Sequence, residues 1–325
     1  MDPFPQFSDA EIGEARRMNR RLRWAPRFRA PSRLGRMMIQ SMMGLQAFAP
    51  HGVPGVRVTT RPITWKGHSV TLRILTPPGR ARGVYIDYHG GGWSIGRAAM
   101  DDQVNARIAD ETGLVVVSVD YTTLPDIDFL GLIEQATAAA DWVFEHAGTE
   151  FGPGDLFIGG ESAGAHLAAC ATLRLRDTRS DFHRLRGVVL FYGPYDLSAT
   201  PSVRAAGPET LVLDGPAMTK GIARLLPDRD EAGRRDPAVS PLYADLGRLP
   251  PALILCGTID PLIDDSRLLA ERWNASNGNV QLAVVPEAPH AFNRFPTAVA
   301  ARTNAFVRRW LETRRAEAAA PKAAE

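Results

Sequence analysis

Leu156-Phe157-Ile158-Gly159-Gly160-Glu161-Ser162-Ala163-Gly164-Ala165-His166-Leu167 is the stretch on which the fold turns. An apolar run leads into a G-x-S-x-G motif, and an alanine-rich segment with helical composition follows. This is a strand–turn–helix context. A serine on so sharp a turn stands above the sheet with its Oγ exposed. Three other motifs follow a fixed order around it. His89-Gly90-Gly91-Gly92-Trp93 lies upstream; Asp260-Pro261-Leu262 and Pro289-His290 lie downstream. The order serine, acid, histidine supplies the parts of an activated nucleophile: a hydroxyl, a base to take its proton and a carboxylate to orient that base.

Around the elbow, short β-branched runs predict strands over residues 56–60, 69–75, 83–88, 114–119, 156–159, 187–191, 252–256 and 280–285. The runs at 83–88 and 114–119 are apolar throughout, as expected for strands covered on both faces. Helical patterns at 132–144, 265–275 and 297–314 alternate with them. That alternation predicts right-handed βαβ units, hence an α/β fold with a mostly parallel central sheet.

With these motifs the chain resembles the hormone-sensitive-lipase-like branch of the α/β-hydrolases, a family of small bacterial carboxylesterases. The likeness runs from about Val70 to Leu311 and includes Val119-Asp120-Tyr121 and Ser240-Pro241-Leu242-Tyr243. The chain departs from the family in having Glu161 before the serine, Thr122-Thr123-Leu124-Pro125-Asp126 after the tyrosine, and Ala291 after the histidine. The resemblance implies an α/β-hydrolase fold with a helical cap, and ester hydrolysis at Ser162, Asp260 and His290. It also implies that Gly91 and Gly92, with Ala163, donate N–H groups to an oxyanion. Glycine suits that role because side chains would block the approach of the backbone.

Each residue has rivals. Asp264, one helical turn after Asp260, is the alternative acid. His166 follows Ser162 by four residues, which places it a turn below the elbow. His89 is expected to order the glycine loop, and Glu161 to buttress neighbouring backbone. His51, His68, His146 and His183 are expected at the surface. Trp93 is either a wall of the binding pocket or a structural tryptophan.

Residues 1–50 read as an N-terminal cap segment and 200–236 as an inserted one. Residues 51–199 and 237–315 read as the catalytic core, and 316–325 as a flexible tail. Nine arginines fall between Arg16 and Arg36, followed by Met37, Met38, Met42 and Met43. One reading is an amphipathic lid with its methionines over the site; the other is a basic membrane-surface or partner helix.

Composition narrows the partners. A formal charge of +2, from 38 basic and 36 acidic residues, makes no electrostatic case for nucleic acid. No run reaches the ~18 apolar residues of a membrane span, so stable membrane insertion is not expected. Cys170 and Cys256 give no disulfide framework or metal spacing. No cofactor or metal is implied. With no secretory signal evident, a cytoplasmic setting is the expectation. Homo-oligomerisation stays open. Alternatives to an esterase are a formamide hydrolase of the kynurenine-formamidase type, a lactonase, and a non-catalytic receptor like those for gibberellin; His290 argues against the last.

Overall fold

In the computed structural model, residues 3–29, 32–46, 50–152 and 154–319 are described. The strands are β1 Arg57–Trp65, β2 His68–Thr76, β3 Gly83–Tyr88, β4 Val115–Asp120, β5 Asp155–Glu161, β6 Leu185–Phe191, β7 Ala252–Gly257 and β8 Val280–Val285. They form one sheet of order β1-β2-β4-β3-β5-β6-β7-β8. β2 pairs antiparallel with β1 and β4, and every pairing from β4 to β8 is parallel. The helices are α1 Asp9–Leu22, α2 Arg33–Gln46, α3 Asp102–Thr112, α4 Phe129–Glu150, α5 Ala163–Thr178, α6 Pro201–Arg204, α7 Gly215–Ala223, α8 Glu231–Arg234, α9 Ile263–Asn277 and α10 Ala298–Ala319. This is the α/β-hydrolase arrangement, a mostly parallel sheet flanked by helices. Among the described residues no helix is long and apolar enough to cross a membrane.

The sheet is apolar on both sides because successive side chains alternate faces. Val84, Ile86 and Tyr88 pack with α4, α5 and α9 on one face. Tyr85 turns to the other, against α3 and α10. Predicted and observed strands agree in place and differ at their ends. α4 is longer than its pattern suggested, because Asp128 caps it early by accepting from the Gly131 N–H at 2.7 Å. α10 likewise continues through the first residues of the expected tail, to Ala319, and residues 320–325 lie outside the described ones.

The elbow depends on glycine at two positions. A Cβ on Gly164 would sit 1.9 Å from the Tyr88 carbonyl oxygen, and one on Gly160 would sit 2.6 Å from the same atom. The end of β3 therefore lies directly on the β5–α5 turn. Gly257 has the same character at the end of β7, where a Cβ would meet the Ala288 carbonyl at 1.8 Å.

The N-terminal segment divides its contacts. α1 docks on the core beside α10: Arg302 pairs with Glu11 at 2.9 Å and Asn19 donates to the Glu287 carbonyl at 2.7 Å. Phe28 forms a bridge with Leu213, and Arg29 pairs with Asp214 at 2.6 Å. Of the methionines expected to cover the site, Met37 and Met38 are 60% and 59% exposed. The side chains of Met42 and Met43 lie outside the described ones. Gln40 and Arg36 carry the contacts of α2 instead, Gln40 to Gly96 N–H and Thr123, Arg36 to Asp126 in a two-pronged pair.

Two glycine substitutions should separate these packing constraints. Gly164→Ala forces the added methyl into the Tyr88 carbonyl and should cost ~1–3 kcal/mol or more. Gly221→Ala, on α7, meets nothing within 4 Å. It should be neutral or stabilise by up to ~1 kcal/mol through helix propensity. Urea unfolding of the two variants checks the contrast; equal stabilities would contradict it.

Candidate active site

Ser162 sits where β5 ends and α5 begins. Its backbone has φ +53° and ψ −121°, a conformation that costs energy for a residue with a side chain and persists only where the surroundings impose it. Those surroundings are the Ser162 N–H to Phe191 carbonyl bond at 2.9 Å and the glycine contacts with β3. Ser162 Oγ lies 2.9 Å from His290 Nε2, and His290 Nδ1 lies 2.9 Å from Asp260 Oδ2. A carboxylate can only accept, so Nδ1 carries the hydrogen and Nε2 is free to accept from the serine hydroxyl. Asp260 is fixed in turn by the Leu262 N–H, which donates to its Oδ1 at 2.9 Å. Both His290 and Asp260 are buried.

The rivals go elsewhere. Asp264 accepts from the Ser202 N–H at 2.9 Å and joins α6 to α9. Its neighbour Asp265 accepts from the N–H groups of Tyr195 and Asp196 and from the Thr200 hydroxyl. Burial pushes that carboxyl up to about 7. His166 lies beneath Trp93. Its Nε2 is 2.7 Å from the Val239 carbonyl, and the Trp93 indole N–H points at its Nδ1 from 3.4 Å. Burial holds it down to about 4. A second proton would have to sit at Nδ1, facing another donor. His89 orders its loop as expected: Nδ1 contacts the Gly90 carbonyl at 2.7 Å and the ring stacks on Tyr121. Burial holds it, too, down to about 4. His146 is half-buried against Trp142 rather than at the surface.

A cavity of about 440 Å³ opens over Ser162 and His290. Gly90, Gly91, Gly92 and Trp93 form one wall. Phe28, Leu213, Met218, Ile222 and Leu225 give it an apolar lining. Gly91 and Gly92 have φ of +125° and +56°, and a Cβ on Gly92 would be 2.9 Å from the Phe28 ring. Ala163 begins α5, so its N–H belongs to the first turn, where helix donors lack partners within the helix. Trp93 is both wall and strut: it lines the cavity and packs edge-on against Phe129 and His166. A larger groove of about 880 Å³ lies beside α1, lined by Arg16, Arg20, Arg23 and Arg27, away from Ser162. Among the described residues there is no group of three or more His, Cys, Asp or Glu placed to hold a metal.

One residue of the site went unread in the sequence and another was read with the wrong partners. Phe28 carried no motif. Glu161, expected to brace backbone, binds side chains instead: it accepts from Asn293 at 2.6 Å and from Arg294 at 2.7 Å.

A sheet of this order, with a strained serine after its fifth strand, defines the hydrolase class. A family profile described as the alpha/beta hydrolase fold matches residues 85–294. Solved structures agree over most of the chain. An esterase from the hyperthermophilic archaeon Pyrobaculum calidifontis is 26% identical, with a TM-score of 0.80 over 95% of this chain and 99% of that one. A thermostable carboxylesterase cloned from a metagenomic library is 28% identical, with a TM-score of 0.72 over 87% and 94%. An esterase of the bacterial hormone-sensitive lipase family is 25% identical, with a TM-score of 0.75 over 95% and 99%. The chain belongs to the α/β-hydrolase family, on its hormone-sensitive-lipase-like branch of serine hydrolases.

The buried His166 makes a testable contribution to stability. Its pKa is lowered on folding, so the unfolded chain binds the proton more tightly. Its contribution is complete above about 6.5 and is lost as pH falls towards about 4. His89 acts in the same direction and Asp265 in the opposite one, so the comparison must be between proteins. His166→Phe should lower Tm at neutral pH, yet show a shallower fall of Tm between pH 6.5 and 4 than the parent. Parallel Tm curves would show that His166 does not titrate in this way.

Proposed function

We propose that the protein hydrolyses carboxylic esters of short to medium acyl chain. The observation that carries the reading is the Asp260–His290–Ser162 hydrogen-bond chain, ending at a serine exposed to an apolar cavity. Ser162 Oγ attacks the ester carbonyl while its proton passes to His290 Nε2. Asp260 keeps the imidazole in the Nδ1–H tautomer and stabilises the cation formed. Charge developing on the carbonyl oxygen is received by the N–H groups of Gly91, Gly92 and Ala163, before the tetrahedral species collapses. His290 then protonates the departing alkoxide. It next takes a proton from water, whose oxygen attacks the acyl-enzyme and frees Ser162 with the acid product. The relatives named above, all esterases, support an ester over an amide as substrate.

We read residues 1–50 and 200–236 as a two-part cap on a core of 51–199 and 237–315. Phe28, Met218, Ile222 and Leu225 would then meet the acyl or alcohol group of the ester, as would Trp93.

Substitution separates the roles. Ser162→Ala should fold normally and lose on the order of 10⁴ or more in kcat with p-nitrophenyl acetate. Asp260→Asn should lose about 10³–10⁴ by presenting the wrong tautomer. Asp264→Asn should lose far less. Turnover by a pure Ser162→Ala preparation would end the proposal, and a reversed order of the two aspartates would reassign the acid. Activity on N-formyl-kynurenine exceeding that on the ester would move the substrate to the amide class.

Phe28→Ala tests the cap. It widens the cavity at the N-terminal wall while leaving the backbone bridge to residue 213 available. The ratio of kcat/KM for octanoate over acetate esters should shift on the order of tenfold, since a few methylenes gain or lose contact. An unchanged chain-length profile would remove Phe28 from the substrate wall.

A further inference from the structure

We infer that Glu161 is a positioning residue, which holds the segment bearing His290 in register with Ser162. The inference rests on reading Ser162 and His290 as nucleophile and base. Their contact joins loops 128 residues apart in sequence. Displacing reacting groups by ~1 Å can cost on the order of 100-fold in rate. Asp260 orients the imidazole but comes from a third loop, so it does not itself tie the serine to the histidine.

Glu161 does. It adjoins Ser162 in the chain, and its carboxylate reaches the segment after His290. One oxygen accepts from Asn293 Nδ2 at 2.6 Å and the other from Arg294 Nε at 2.7 Å. These donors are the third and fourth residues after His290. Both ends of the clamp are anchored. The Asn293 Oδ1 accepts from the Tyr192 hydroxyl, and the Asn293 carbonyl accepts from Asn304 at 2.9 Å. Tyr192 packs its ring 4.7 Å from the His290 imidazole. Arg294 continues to Asp101 and to the Met100 carbonyl, on the cavity side.

The segment needs such a hold. Ala291, directly after His290, has φ +59°, in the left-handed region that residues with a Cβ avoid. A backbone in that conformation stays there only when its neighbours over-determine it. Glu161 and Asn293 are both nearly fully buried, so the bonds between them are shielded from water and exchange with it poorly. The fork geometry also demands an anion: a carboxamide at 161 would turn an N–H towards either Asn293 Nδ2 or Arg294 Nε, and one of the two bonds would be lost.

The test uses Glu161→Gln, Asn293→Ala and the double variant, with Ser162→Ala alongside. Reactive sites are counted with a fluorophosphonate, and kcat per counted site and KM are measured on p-nitrophenyl butyrate. Each single variant should lose at least about tenfold in kcat per site with KM held within about twofold, and the double should be no worse than the poorer single. Lower Tm and fewer reactive sites, with kcat per counted site unchanged, would make Glu161 merely structural and overturn the inference. If Glu161→Gln does not fold, Asn293→Ser carries the same test, since it leaves the Glu161–Arg294 pair in place. An active Ser162→Ala would instead bring down the reading of the nucleophile. An inactive Ser162→Ala, with parental kcat per site in the clamp variants, would bring down the clamp alone.

Discussion

The contact between the end of β3 and the β5–α5 turn is the constraint on which the site depends. Two backbone segments meet there with no side chain between them, because Gly160 and Gly164 leave room for the Tyr88 and His89 carbonyls. That approach delivers the chain after β3, Gly90 to Gly92, to the side of Ser162. It also forces the serine into its strained backbone conformation, which lifts Oγ clear of the sheet. Every other part of the site is brought to this fixed point by a loop at the same end of the parallel strands. A parallel sheet makes this efficient: all the βα turns emerge on one edge, so residues far apart in sequence converge there.

The electrostatics of the site divide into two groups. One is the line of carboxylate, imidazole and hydroxyl. The other is a denser charged cluster beside it, in which Arg294 serves both Glu161 and Asp101. Burial pushes Asp101 up from its ordinary value despite the guanidinium. The two imidazoles nearest the elbow outside the line, His89 and His166, are kept neutral by burial, which outweighs the pull of the Gly90 and Val239 carbonyls towards the charged form.

The parts of the fold that the sequence revealed are those with a short-range signature. Uninterrupted apolar runs marked the central strands, since a strand covered on both faces has no polar alternation to hide it. The glycine loop, the elbow and the two downstream motifs were legible because each imposes a local backbone demand. Phe28 was not legible: its partners, Gly92 and Leu213, are 64 and 185 positions away, and no local rule links them. Met37 and Met38, after the arginine cluster, were misplaced for the same reason. Amphipathic composition says that a helix has two faces, and only tertiary contact says which one is covered. Glu161 was half-read. Its direction away from the serine followed from the elbow, but its partners lie on a loop more than 130 residues later.

The seam formed by Phe28 and Arg29 with residues 212–214 also has a consequence for how such a catalyst can diversify. One half precedes the sheet in sequence and the other lies between β6 and β7; among the described residues they are joined by backbone bonds and one ion pair. Neither half contributes a strand to the sheet. Substitution there therefore leaves the strands and their pairing in place. The mouth can be re-tailored for new ligands, gaining or losing bulk at either lip, while the reactive line beneath inherits its geometry unchanged.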